Sequence, residues 1–199
     1  LLQAYLEEHR SEVTVDEAKG YMDTTYAHIM QLTLPSTDAS YQLLDEDAAA
    51  ALMEAANNAI AQMEDEGATL DEVADDVLQE VLPLSGREYT DSSVSEYLSE
   101  RYVSENSTLY GNDFSLAMLA AEVGSCGLYT ASTSPLLYEK LPNYETDQQF
   151  EEEHFAAMAD EINARAFEEE VDEKAGALSL EEDAAAVRTY SVYNIKTEV

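Results

Sequence analysis

The chain has 199 residues, enough for one domain with a real core or for two small ones, and its 43 acids against 9 bases give a formal charge of -34. That sign disfavours nucleic acid and anionic membranes as partners, while an apolar content of 45% with 13 Tyr and 4 Phe argues for a folded chain rather than a disordered one. The single cysteine, Cys126, excludes an intrachain disulfide and a cysteine-rich metal site, and its expected role is that of a small buried hydrophobe.

Helix starts are marked by Ser/Thr-x-x-Glu/Gln, in which side chain and backbone satisfy each other's orphan groups. The pattern recurs at Thr14 to Glu17, Thr69 to Glu72, Ser93 to Glu96, Thr146 to Gln149 and Ser179 to Glu182. After Thr14, the apolar positions Ala18, Met22, Tyr26, Ile29 and Met30 follow helical spacing up to Pro35, which predicts one amphipathic helix. In DEDAAAALMEAANNAIAQMEDEG, residues 45 to 67, Leu52, Met53, Ala56, Ile60 and Met63 share a face; Asp45 to Asp47 suit the positive helix start and Gly67 the stop. Val73, Val77, Leu78 and Val81 predict a third helix ending at Pro83, and Val94, Tyr97, Leu98 and Tyr102 a fourth. The segment DFSLAMLAAEV, residues 113 to 123, has one internal charge, Glu122, and is expected to be the central, most buried helix.

Residues 124 to 144, GSCGLYTASTSPLLYEKLPNY, form a neutral island whose only charges are Glu139 and Lys140. A long helix follows, with Phe150, His154, Met158 and Ile162 spaced by four, and the tail TYSVYNIKTEV has the composition of an edge strand or pairing arm. The expected fold is therefore mainly all-α: a helical domain over 1–186 with a neutral loop at 124–145, and an extended C-terminal arm over 187–199. No repeat and no Gly/Ser-rich or Pro-rich linker divides it.

Catalytic equipment is sparse. Of His9, His28 and His154, the last forms Glu151-x-x-His154, the spacing by which helical di-iron proteins present two ligands. The second such pair would need Glu at positions 25 and 6, which hold Thr25 and Leu6, so the expectation is no metal. A calcium loop centred on Gly67 would start at Gln62 and end at Val73, both unsuitable. There is no nucleophile elbow, P-loop or dinucleotide fingerprint. The expectation is a protein that is not an enzyme and carries no cofactor.

The acidic coat resembles the proteome-wide habit of salt-loving archaea and their viruses, for in multimolar salt the Debye length falls to about 3 Å and self-repulsion is screened. Within residues 11 to 66, VTVDEAKGYM followed by LLDEDAAAALMEAANNAIAQ resembles the opening helices of small head-tail connector proteins of tailed viruses, a likeness that carries no functional residue across. The missing catalytic motifs and the neutral island lead to the expectation of a structural or adaptor subunit of a homo-oligomer or larger assembly, and the net charge to no direct contact with nucleic acid or membrane. The contacts are expected from the neutral island, through Leu128, Tyr129, Leu136, Leu137, Tyr138, Leu141 and Tyr144, since interface cores favour aromatic residues and few charges; equally, these residues can line the domain's own core under a long loop. The alternative is an acidic DNA mimic of the antirestriction type. No apolar run reaches the roughly 20 residues that span a bilayer, and the first residues lack signal-peptide order, so a soluble protein of a virion or high-salt cytoplasm is expected.

Overall fold

A computed structural model describes residues 10–107, 110–130 and 134–177. The chain divides into two compact units, Thr14–Met158 and a smaller one built from Leu1–Val13 with Ala159–Val199.

In the larger unit, α1 (Val15–Thr25) starts on Thr14 with both halves of the capping box in place. The chain then turns directly into β1 (Tyr26–Thr33). Two longer helices follow, α2 (Glu46–Glu66), capped by Asp45 and stopped by Gly67 in the left-handed region, and α3 (Leu70–Leu84), capped by a second complete box on Thr69. The short α4 (Ser93–Tyr97) leads into β2 (Leu98–Ser104), then come α5 (Asn112–Ala120), β3 (Cys126–Tyr129) and β4 (Leu136–Leu141). One helical turn, α6 (Asp147–Gln149), and a π-helical turn over Phe150–His154 open the long α7 (Phe155–Ala177).

The four strands form one antiparallel sheet in the order β2-β1-β4-β3. This corrects the mainly all-α expectation, and the reason lies in three segments. Residues 26 to 33 fit helical spacing through Tyr26, Ile29 and Met30, yet they also alternate, with Ala27, Ile29 and Gln31 buried against Tyr26, His28 and Met30 half-buried. A strand lets this segment bury both faces, which no amphipathic helix does. Leu98 and Tyr102, expected on a helix, lie on edge strand β2, and the neutral loop over 124–145 is the hairpin β3-β4.

Period-two alternation sends side chains to two different cores. One face presents Leu32 and Leu137, with Met30, Leu98, Cys126 and Leu128 beside them, to α2 and α3. The other presents Ala27, Ile29, Val103 and Leu136 to Tyr110 and to Phe114 and Met118 of α5. The most thoroughly packed helix is α3, with Leu70, Val73, Ala74, Val77, Leu78, Val81 and Leu82 buried; α5, expected to be central, buries Phe114, Ser115 and Met118 and leaves Leu116 exposed. A scarcity of charge in DFSLAMLAAEV does not create a wide apolar stripe.

Sheet and helices are tied by Glu139. Its side chain is buried and its carboxylate accepts a 2.7 Å bond from the Leu70 N–H, capping α3 from β4. On the opposite face Lys140 donates to the Ala121 carbonyl at 2.6 Å, beside the C-terminal end of α5.

In the smaller unit, Arg10 is paired with Asp160, and Ser11 N–H donates to Asn163 Oδ1 at 2.8 Å. Residues 187–199, expected as an extended arm, lie outside the described residues, as does the helix start at Ser179. Among the described residues no helix is long and apolar enough to cross a membrane.

Candidate functional site

The α5 side of the sheet carries a set of neutral polar groups among aromatic rings. Gln31 stands near the middle of β1, paired across to Ser99 on β2 and to Tyr138 on β4, so all three project to one face. Its Nε2 donates to Ser99 Oγ at 3.3 Å, and its Oε1 accepts from the Tyr110 hydroxyl. Both hydrogen-bonding ends of a nearly buried amide are thereby held.

Around this amide the rings of Tyr110, Phe114, Tyr129 and Tyr138 touch one another. Phe114 is the hub, its ring centre 5.0 Å from that of Tyr110, 4.4 Å from Tyr129 and 5.3 Å from Tyr138. The Tyr129 hydroxyl accepts from the Gly111 N–H at 3.2 Å, just ahead of α5. Gly127 makes room for Tyr138: a Cβ there would lie 2.7 Å from its hydroxyl. Tyr110 and Phe114 are buried, whereas Tyr129, Tyr138 and Ser99 are half-buried and open to solvent. Burial pushes the phenols of Tyr110 and Tyr138 above the ordinary tyrosine value, the Arg101 charge acting the other way on Tyr110, so both remain neutral donors.

The set contains no activated nucleophile. Ser99 Oγ bonds an amide, not a base; on the opposite face burial, with the negative Glu64 and Glu139, pushes the Cys126 thiol up and away from thiolate. What it offers is an uncharged, aromatic surface with fixed donors and acceptors.

A second cluster lies on the other face. His28 stacks on Tyr102 at 4.4 Å, and its ring nitrogens lie 3.0 Å from the Pro142 carbonyl and 3.0 Å from Glu100 Oε2. The Tyr102 hydroxyl donates to the Asn143 carbonyl at 2.9 Å, with His154 Nε2 3.4 Å away. Asn143 locks the corner, accepting from the His28 N–H and donating to the Tyr26 carbonyl. His28, Glu100, Tyr102, Pro142 and Asn143 line a cavity of about 150 Å³. Each side chain is spent on a neighbour, and among the described residues no group of three potential metal ligands occurs. Glu151 and His154 fall on the π-helical turn, where His154 meets Tyr102 edge-on.

The seven residues expected to make contacts are split by the hairpin. Leu137 is fully buried against α2 and α3 with Leu128 beside it, while Leu136 packs under α5. Tyr129 and Tyr138 join the aromatic site. Leu141 lies opposite His28, and Tyr144 packs on Phe150 at 5.0 Å and donates to Asp23 at 3.2 Å. Gln31, Ser99, Tyr110 and Phe114 were not singled out from the sequence. The signals for them were the alternation through Gln31 and the i, i+4 spacing of Tyr110 and Phe114.

No family model matches the chain, and no curated protein matches it. Among solved structures it is similar to PrsA from Bacillus subtilis, at 10% identity and a TM-score of 0.40, over 94% of this chain and 63% of that one. It is also similar to the foldase protein PrsA from Streptococcus pneumoniae, at 16% identity and a TM-score of 0.36, over 92% of this chain and 62% of that one. The chain thus spans less than two thirds of each, and such TM-scores do not establish a shared fold.

Proposed function

We propose that this protein binds extended, proline-containing polypeptide segments on the tyrosine face and acts there as a foldase, easing rotation about the X–Pro bond. The observation that carries this reading is the neutral amide of Gln31 fixed between Tyr110 and Ser99 inside a ring of four aromatic side chains. Aromatic-lined grooves suit proline because the ring stacks on apolar faces and its segment is pre-extended, so little entropy is lost on binding.

The chemistry matches the side chains present. Rotation about an X–Pro bond breaks no covalent bond and needs no nucleophile, metal or cofactor. Its barrier is the loss of amide resonance, about 18–20 kcal/mol for peptide bonds. Uncatalysed X–Pro exchange therefore takes tens to hundreds of seconds. An apolar surface disfavours the planar, charge-separated amide relative to the twisted one, and a phenol hydroxyl donates to the nitrogen as the twist localises its lone pair. The test is proline cis/trans exchange in a short X–Pro peptide, followed by NMR in about 3 M KCl, where the acidic coat is screened. Exchange is expected to quicken in proportion to protein and to lose that gain in Gln31→Ala and Tyr138→Phe. Exchange at the uncatalysed rate with the folded protein overturns the catalytic reading.

A second reading, a non-enzymatic adaptor subunit of an assembly, is favoured by one loop. Thr37 and Leu43 are bridged, and Asp38 Oδ1 accepts from the N–H groups of Ser40 and Gln42. Arg87 donates to the Thr37 carbonyl. So pinned, the loop holds Tyr41 85% and Leu43 82% exposed, with Tyr41 at a φ of 61°. Size measurement in high salt tests it: a strict monomer counts against an assembly role.

A further inference from the structure

Arg101 stands out among the bases of this chain. The other described ones are all engaged: Arg10 with Asp160, Lys19 with Asp147, Arg165 with Glu169, Lys174 with Glu170, Arg87 with the Thr37 carbonyl and Lys140 with the Ala121 carbonyl. Arg101 is exposed on edge strand β2 and, among the described residues, has neither a hydrogen bond nor an ion pair. In a chain with 43 acids, an arginine with neither a carboxylate nor a carbonyl to bond is a departure from what chance supplies.

Its position gives it a use. Arg101 pairs with Ile29, two residues from Ser99 and two from Val103, so strand alternation places it on the tyrosine face. Ser99 bonds the Gln31 amide, and Val103 packs with Tyr110 and Phe114. A guanidinium there is a planar fork of donors at the rim of an otherwise uncharged site.

We infer that Arg101 is a specificity residue that selects polypeptides with an acidic side chain next to the bound proline. This rests on the tyrosine face being the polypeptide site. The partner class follows from charge: among the described residues Arg101 is the cation on that face without a hydrogen-bond acceptor, Lys140 being held by the Leu119 and Ala121 carbonyls, and a carboxylate is its matched acceptor. Polypeptides of this chain's own composition carry such a group at about one residue in five. The surrounding negative charge that would repel them is short-ranged in brine, whereas a contact ion pair lies within the Debye length and is weakened less than the more distant repulsion.

The test compares Glu-Pro, Gln-Pro and Lys-Pro versions of one peptide, titrated against the full chain in about 3 M KCl. The wild-type protein is expected to bind Glu-Pro about twofold tighter than Gln-Pro, the low end of the range for a solvent-exposed ion pair because salt screens it. In Arg101→Gln that ratio falls to about one, and in Arg101→Glu the preference turns to Lys-Pro. A wild-type ratio of one, or a Glu-Pro preference that survives in both variants, overturns this inference while leaving the polypeptide site standing. Failure of the folded wild-type protein to bind any of the three overturns both.

Discussion

Replacing Glu139 tests how the sheet holds its helices. The carboxylate is 9% exposed and accepts from the N–H of Leu70, which is itself fully buried, at 2.7 Å, so neither group has ready recourse to water. Glu139→Gln keeps an acceptor oxygen but removes the negative charge facing the start of α3, which costs about 1 kcal/mol in a partly buried geometry. Glu139→Ala also leaves the Leu70 N–H unpaired, and a lost bond to a buried charged group costs about 2–3 kcal/mol. At about 2–4 °C per kcal/mol for a unit of this size, the Ala variant should melt roughly 5–10 °C lower. Thermal melts in about 3 M KCl measure both, and the order of stability is expected to be Glu, Gln, Ala. The exposed Glu66 at the end of α2 provides the contrast, since Glu66→Gln should leave the melt in brine unchanged. Equal melting of the Ala variant and the parent would refute the helix-capping role of Glu139.

Gly127→Ala puts a methyl group 2.7 Å from the Tyr138 hydroxyl, so the phenol must shift; proline-peptide affinity should fall about tenfold with the far-ultraviolet spectrum unchanged, as read by titration calorimetry and circular dichroism. Unaltered affinity would remove Tyr138 from the site. Burial raises the phenols of Tyr110 and Tyr138 in the folded state, so the stability they contribute is complete below the ordinary tyrosine value of about 10 and is lost as pH rises through their folded values. Denaturant midpoints should therefore hold steady through neutral pH and drop on the alkaline side, and less steeply in a Tyr110→Phe, Tyr138→Phe double variant. An identical alkaline drop in that variant would contradict the assignment.

The helical half of the fold was legible in local chemistry. Thr14 and Thr69 cap helices with complete boxes because side chain and backbone meet within four residues, and Gly67 stops α2 for an equally local reason. Thr146 caps α6 as read, while the start near Ser93 lies one residue earlier, on Ser92. The sheet was not legible, because β1 pairs with partners about 70 and 110 residues away and its sequence satisfies a helical period as well as an alternating one. The neutral island read as a loop for a similar reason: Leu136 and Leu137 serve two opposite cores, which removes the alternation that marks a strand. The site suffered most. Tyr129 and Tyr138 were singled out as aromatic residues of a segment with few charges, but Gln31 gains meaning only when pairing sets it beside Ser99 and Tyr138. Arg101 becomes conspicuous only once the other described bases are seen to be occupied.

Chemical-shift mapping with the folded chain in brine tests the central claim most directly. Adding a proline-containing peptide should shift the side-chain signals of Gln31, Tyr110, Tyr129 and Tyr138 together and saturably, leaving those of His28 and Tyr102 on the opposite face in place. Perturbation confined to His28, Tyr102 and the Asn143 corner, or to the loop bearing Tyr41, would contradict it.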